Sequence, residues 1–219
     1  VSFIKDSPGL IGIVAPFLGR YREFPMCIEQ TKCPAGTGLN WYYGVSGTNY
    51  YNMMAQYMLQ NEEYKWLWIL DDGFVFHPSL LSKLLERNVD VVVPLTLHDS
   101  YPYAPRIYED AAGGYIGVEP EWLKDQTGMI RLTDKTCRST GMLIKRHVFE
   151  QLDEPWFVNG ATHPGELGSD KWFCQQLHEH DLELYLDLDN VMGAITHVGV
   201  RARRREDGTY EPAVNVSLY

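Results

Sequence analysis

The sequence predicts an α/β fold, with a mostly parallel central sheet flanked by helices and a small antiparallel element in its second half. Three observations carry that prediction. Leu10–Ala15 and Trp66–Leu70 are continuous apolar runs of strand length, and Val89–Val93 is a further one broken only by Asp90, the pattern of strands buried on both faces. Segments with helical periodicity alternate with such runs, which favours parallel pairing through right-handed crossovers. The run Trp66–Leu70 also ends abruptly in two carboxylates, Asp71 and Asp72. Charge is thereby set at the carboxyl end of a strand, where open α/β sheets bind ligands.

In chain order, Leu10–Ala15 reads as the first strand, stopped by Pro16. The Phe17-Leu18-Gly19-Arg20 that follows contains no Gly-x-Gly-x-x-Gly, which argues against a dinucleotide site. Asn40–Val45 reads as a second strand. Thr48 is placed to cap a helix reaching Gln60, and Tyr50, Met53, Met54 and Tyr57 form the stripe expected to face the core. Leu80, Leu81, Leu84 and Leu85 mark an amphipathic helix, and Val89–Val93 a strand ended by Pro94. The rhythm then breaks. From Thr96 to Asp134, Tyr, Pro and Gly dominate, and Arg106–Tyr108 and Gly128–Leu132 are candidates for short strands. Aromatic and hydroxyl side chains here suit a sugar and ordinary loop packing equally.

Ser139–Ile144 resumes an apolar strand, followed by a short helix over His147–Leu152. Ser169 is placed to cap a helix from Asp170 to His180, with Phe173 and Leu177 inward. Asp170 falls in its first turn, where the helix dipole favours negative charge. Glu183–Leu186 is a further strand. One domain is expected over residues 1–200, with a loosely attached basic and polar tail over 201–219.

A formal net charge of -10 argues against a surface that binds polyanions throughout. Arg201, Arg203, Arg204 and Arg205 cluster nonetheless, either as a solvated flank or as a contact to a phosphate-bearing ligand or acceptor. Cys27, Cys33, Cys137 and Cys174 have no paired metal-ligand spacing and are expected as reduced, mostly buried thiols. No apolar run approaches the roughly 18 residues of a membrane span, so no span and a cytoplasmic location are expected.

Side by side, Asp71 and Asp72 repel each other unless water, a cation or hydrogen-bond donors compensate them. A solvated turn and a ligand site both satisfy that requirement. His197 reads either as a satisfied core histidine or as a ligand.

Four stretches, taken in order, carry a resemblance. They are Leu70-Asp71-Asp72-Gly73 with Pro78 and Leu81 behind it, Ser139–Arg146 leading to Pro155-Trp156-Phe157, Ser169–Cys174, and Thr196-His197-Val198-Gly199. The chain resembles GT-A fold glycosyltransferases of the nucleotide-sugar-dependent, family 2-like kind. The resemblance implies a single GT-A (Rossmann-like) domain that moves a sugar from a nucleotide-diphosphate donor, a UDP-sugar foremost, to an acceptor hydroxyl. In that family two Asp separated by one residue hold a divalent cation, Mn²⁺ or Mg²⁺, against the diphosphate. Asp71 matches the first, but Gly73 stands at the second. The resemblance therefore assigns metal binding to Asp72 and His197, and donor binding to Pro16, Phe17, Arg20 and Asp71. Asp170 matches the acceptor-activating base of inverting members. Gly141, His163 and Trp172 fall at acceptor or lid positions. The acceptor itself stays open, a modified nucleic acid included. Competing expectations are a retaining enzyme on the same fold, a nucleotidyltransferase, and a catalytically silent protein that binds sugar nucleotides.

Overall fold

Strand β1 (Leu10–Ala15) is followed by α1 (Glu23–Gln30), β2 (Gly38–Tyr43), α2 (Gly47–Gln60), β3 (Trp66–Asp71), β4 (Phe74–Phe76), α3 (Leu80–Arg87) and β5 (Val91–Leu95). The irregular middle holds β6 (Ile107–Ala111), β7 (Gly114–Gly117), β8 (Met129–Arg131) and β9 (Lys135–Cys137). The chain continues through β10 (Leu143–Lys145), α4 (Arg146–Gln151), α5 (Ser169–Glu179), β11 (Leu184–Ala194), β12 (Gly199–Arg204) and β13 (Tyr210–Asn215). This architecture is that of a computed structural model, which describes residues 4–15, 22–44, 47–99, 101–111, 114–158, 168–195 and 199–215.

The main sheet runs β13-β12-β11-β5-β10-β3-β1-β2, with β4 and β8 pairing onto β11. β2, β1, β3, β5 and β11 all point the same way, and β10 is inserted antiparallel between β3 and β5. A small antiparallel sheet, β7-β6-β9, accounts for the expected element in the second half. The apolar run of β3 is explained by cover on both faces. Leu67 and Ile69 pack into one core layer with Met54, Phe149 and Phe173, while Trp66, Trp68 and Leu70 pack into the other with Phe24, Leu81 and Leu84. Each residue of Trp66–Leu70 is fully buried, so the period-two alternation of a half-exposed strand is absent.

Several expectations are corrected. α1 begins with Glu23-Phe24-Pro25, and Pro25 is tolerated because first-turn amides have no intrahelical acceptor to lose. α2 starts at Gly47, so Thr48 lies inside it and is not its cap. The buried face of α2 is Tyr51, Met54, Ala55 and Met58, whereas Met53 is 50% and Tyr57 39% exposed. The helical period was legible, but the stripe was set out of phase. β5 runs through Pro94 to Leu95. Along β5, β10 reaches only Val91 and Val92, so no neighbour on that side needs the missing amide of Pro94. Ser139–Met142 forms a turn, and only Leu143–Lys145 pairs as a strand. Gly168 is the cap residue of α5, and Ser169 is its first residue.

β12 and β13, which fall in the expected 201–219 tail except for residues 199 and 200, form a hairpin that continues the sheet from β11. All four cysteines are free, and only Cys137 and Cys174 are buried. Among the described residues, no helix is long and apolar enough to cross a membrane.

Candidate functional site

The carboxyl ends of β1, β3, β5 and β11 converge on one edge of the sheet. The turn after β3 is pinned there from both sides. The Asp72 amide donates to the Val14 carbonyl at 3.0 Å, and the Gly73 carbonyl accepts from the Ile195 amide at 2.7 Å. The Asp71 amide donates to Thr140 Oγ1 at 3.2 Å, which ties the strand end to the turn before β10.

That neighbouring turn depends on Gly141, whose φ of 84° lies in the left-handed region. A Cβ at this position would sit 2.6 Å from Met192 Sδ and 2.8 Å from Pro94 Cγ. Its amide donates to the Ile69 carbonyl at 2.7 Å, and its carbonyl accepts from Trp68 Nε1 at 3.0 Å. Gly141, expected at an acceptor or lid position, is not among the residues that line the two cavities here. It lies under the site, where its close packing delivers Arg138, Ser139 and Thr140 to the edge.

Two cavities, each about 340 Å³, open at this edge. The first is lined by Thr48 and Tyr51 from α2, Asp71, Arg106, the run Arg138–Thr140, and Gly168–Asp170 at the start of α5. The second is lined by Val14, Tyr51, Asp71–Phe74, Asp99, Arg106, Ala194 and Ile195. Tyr51, Asp71 and Arg106 belong to both and mark their junction.

Charge is dense here. Burial raises Asp71 from its ordinary 3.8 to about 6, and the nearby Asp170 adds to the rise. Arg138, a hydrogen bond from Thr140 and Arg106 pull the other way without cancelling it. The Tyr51 hydroxyl is pushed well above its ordinary value by burial, Asp71 and Asp170, so it remains a neutral donor. Arg138 Nη1 donates to Asp170 Oδ2 at 3.0 Å. Burial opposes the charge of Arg138, but Asp170 and Tyr108 outweigh it and raise its pKa. Arg106 is lowered by burial and by Arg138. Its Nε donates to the Leu97 carbonyl at 3.1 Å, and its guanidinium lies 5.1 Å over the Phe74 ring. Ser139 is 1% exposed, and its hydroxyl has no hydrogen-bond partner among the described residues. A buried, unsatisfied hydroxyl costs stability unless a ligand or water supplies its partner.

Among the residues singled out from the sequence, Asp71 and Asp170 meet in the first cavity, and Asp72, 6% exposed, joins Asp71 in the second. Trp172 lines neither. It is half-buried on α5, and its Nε1 has no partner among the described residues. Pro16, Phe17, Arg20, His163 and His197 lie outside the described residues. Arg106, Arg138, Tyr51 and Ser139 were not recognised as site residues from the sequence. Ser139 opens the stretch that carries the resemblance and Arg138 stands directly before it, whereas Arg106 and Tyr51 carried no local signal.

The described residues do not by themselves complete a site for a divalent cation. Hard cations of this kind favour near-octahedral oxygen ligation with more than one carboxylate. Among the described residues, no three His, Cys, Asp or Glu side chains group as ligands. A Cβ on Gly73 would meet nothing within 4 Å, so open space stands where the resemblance implies a second acidic ligand. The guanidinium of Arg106 shares the junction with Asp71 and would repel such an ion.

No protein-family model matches the chain, and no curated protein matches it. Among solved structures, the crystal structure of A197 from STIV aligns with a TM-score of 0.60 at 12% identity, covering 94% of this chain and 94% of that one. At that identity the likeness establishes a shared α/β architecture alone.

Proposed function

We propose that this chain is a nucleotide-sugar-dependent glycosyltransferase of the inverting type. The observation that carries the reading is the meeting of Asp71 and Asp170, from elements about a hundred residues apart, in a polar cavity at the carboxyl ends of parallel strands. A second cavity of similar size adjoins it through Asp71. Two joined chambers suit a donor with a sugar at one end and a nucleoside at the other.

In this reading the sugar occupies the first cavity, where Ser139 Oγ gains the partner it lacks. Asp170 is the general base. Arg138 engages Oδ2 and fixes the carboxylate, while Oδ1 lies 3.4 Å from Ser169 Oγ in a weak contact. Oδ1 takes the acceptor hydroxyl proton as the acceptor oxygen bonds to the anomeric carbon. The bond from that carbon to the diphosphate oxygen breaks on the opposite face, and its electron pair leaves with the nucleotide diphosphate. A positioned carboxylate is worth roughly 10²–10⁴-fold in such a step.

Asp170→Asn preserves the size and the Arg138-facing oxygen, so donor binding is expected to persist while transfer falls by about 10²-fold or more. Transfer can be followed by nucleotide diphosphate release, and donor binding by thermal shift. Full transfer activity in Asp170→Asn, or a product with the donor's anomeric configuration, would remove Asp170 from this role. The Arg138–Asp170 ion pair also favours a second reading, a protein that binds sugar nucleotides without turnover. Donor binding with no hydrolysis or transfer to any acceptor would select it.

A further inference from the structure

We infer that Arg106 binds the diphosphate of the nucleotide ligand and supplies there the positive charge expected of a divalent cation, so that binding does not require a metal. This inference rests on the nucleotide-sugar reading above and concerns the same site.

Position is the first argument. Arg106 lines both cavities, and with a nucleoside in one and a sugar in the other, the linking phosphates must cross their junction. Preparation of the side chain is the second. Its amide donates to the Thr96 carbonyl at 3.0 Å and its Nε to the Leu97 carbonyl, while its guanidinium rests over Phe74. The two Nη groups make no hydrogen bond among the described residues, so an anchored guanidinium keeps its terminal donors for a ligand. Such a planar fork matches phosphate oxygens in pairs.

The surroundings supply the third argument. Burial and Arg138 both act against the charge on Arg106, a cost that an arriving polyanion would offset. Arg138 adds a second guanidinium in the first cavity, and Gly168 and Ser169 bring the positive end of the α5 dipole to the same wall. Asp71, Asp72 and Asp99 line the second cavity, but among the described residues no three acidic, imidazole or thiol side chains group closely enough to hold a metal ion. Arginine is favoured over a cation by the groups present.

The test uses the full chain stripped with EDTA and titrated with UDP, GDP and the corresponding nucleosides, with and without 1 mM Mn²⁺ as a roughly saturating addition. Arg106→Gln and Arg106→Lys are compared with wild type. The expected result is diphosphate binding in EDTA that changes less than about threefold with Mn²⁺. In Arg106→Gln it weakens by about 10- to 100-fold, while nucleoside affinity stays the same. Arg106→Lys keeps the charge without the fork and is expected to fall between the two. It decides the matter if Arg106→Gln does not fold. Binding that appears only with Mn²⁺, or is unchanged in both variants, overturns the inference and leaves the glycosyltransferase reading standing. If no nucleotide binds under either condition, the reading beneath it falls, and the inference with it.

Discussion

Replacing Asp71 by Asn is expected to stabilise the ligand-free protein. The Asp71 carboxyl titrates near 6 in the folded chain, against an ordinary 3.8. A carboxyl held about two pH units above its unfolded value destabilises the fold by roughly 3 kcal/mol once ionised. Since Asp71 is partly open to its cavities, about 2 kcal/mol is the more realistic figure. Asn is nearly isosteric and still accepts a hydrogen bond from Thr140, so little is lost in exchange. For a chain of this size that corresponds to a melting temperature raised by roughly 4–8 °C at pH 7.5. The dependence on pH follows from linkage. The folded state binds the extra proton between pH 4 and 6, so wild-type stability from this group is full below pH 4 and is lost as pH rises through 6. The gap between Asp71→Asn and wild type should therefore shrink to about a third of its pH 7.5 value at pH 4.5. Thermal or urea unfolding at the two pH values measures it. A variant that melts at or below wild type at pH 7.5, or a gap that does not change with pH, would refute the reasoning.

Three further predictions concern other parts of the structure. Gly73→Asp places a side chain in open space, so stability should change by less than about 0.5 kcal/mol while Mn²⁺ affinity, read by calorimetry, rises at least tenfold. Arg87→Met strips the bidentate partner, at 2.8 and 3.0 Å, from the fully buried Asp187, and urea unfolding should register a loss of about 3 kcal/mol. Gly141→Ala must push against Met192 and Pro94 at a positive φ, and is expected to cost about 2 kcal/mol or more by the same assay, with reduced ligand binding as the turn shifts.

The sheet was legible where both of its faces are covered. Trp66–Leu70 and Leu10–Ala15 announce themselves because double burial removes every polar interruption, and Leu80, Leu81, Leu84 and Leu85 because one face of α3 is apolar. Strand direction was less so. Leu143–Lys145 pairs over three residues, and such a run says nothing of being antiparallel. α1 was hidden by Pro25, which reads as a breaker unless its first-turn position is known. Within the site, Asp71 and Asp170 were marked by abrupt changes of character, apolar to acidic and loop to helix. Arg106 carried no such mark. It stands in an irregular stretch without periodicity, and its importance comes from tertiary contacts with Leu97 and Phe74 that sequence spacing does not encode. Ser139 was seen as part of a strand, and its lack of a partner becomes visible only once the turn closes.

The double pinning of the turn after β3, by Val14 on one side and Ile195 on the other, bears on how a ligand is received. A loop that carried Asp71 could swing its buried carboxyl outward into water. A mount tied to two neighbouring strands does not allow that retreat. The backbone that carries Asp71 is thus already set before a ligand arrives, and binding there requires little ordering of the main chain. Asp71 is in this sense preorganised by main-chain bonds that belong to the sheet.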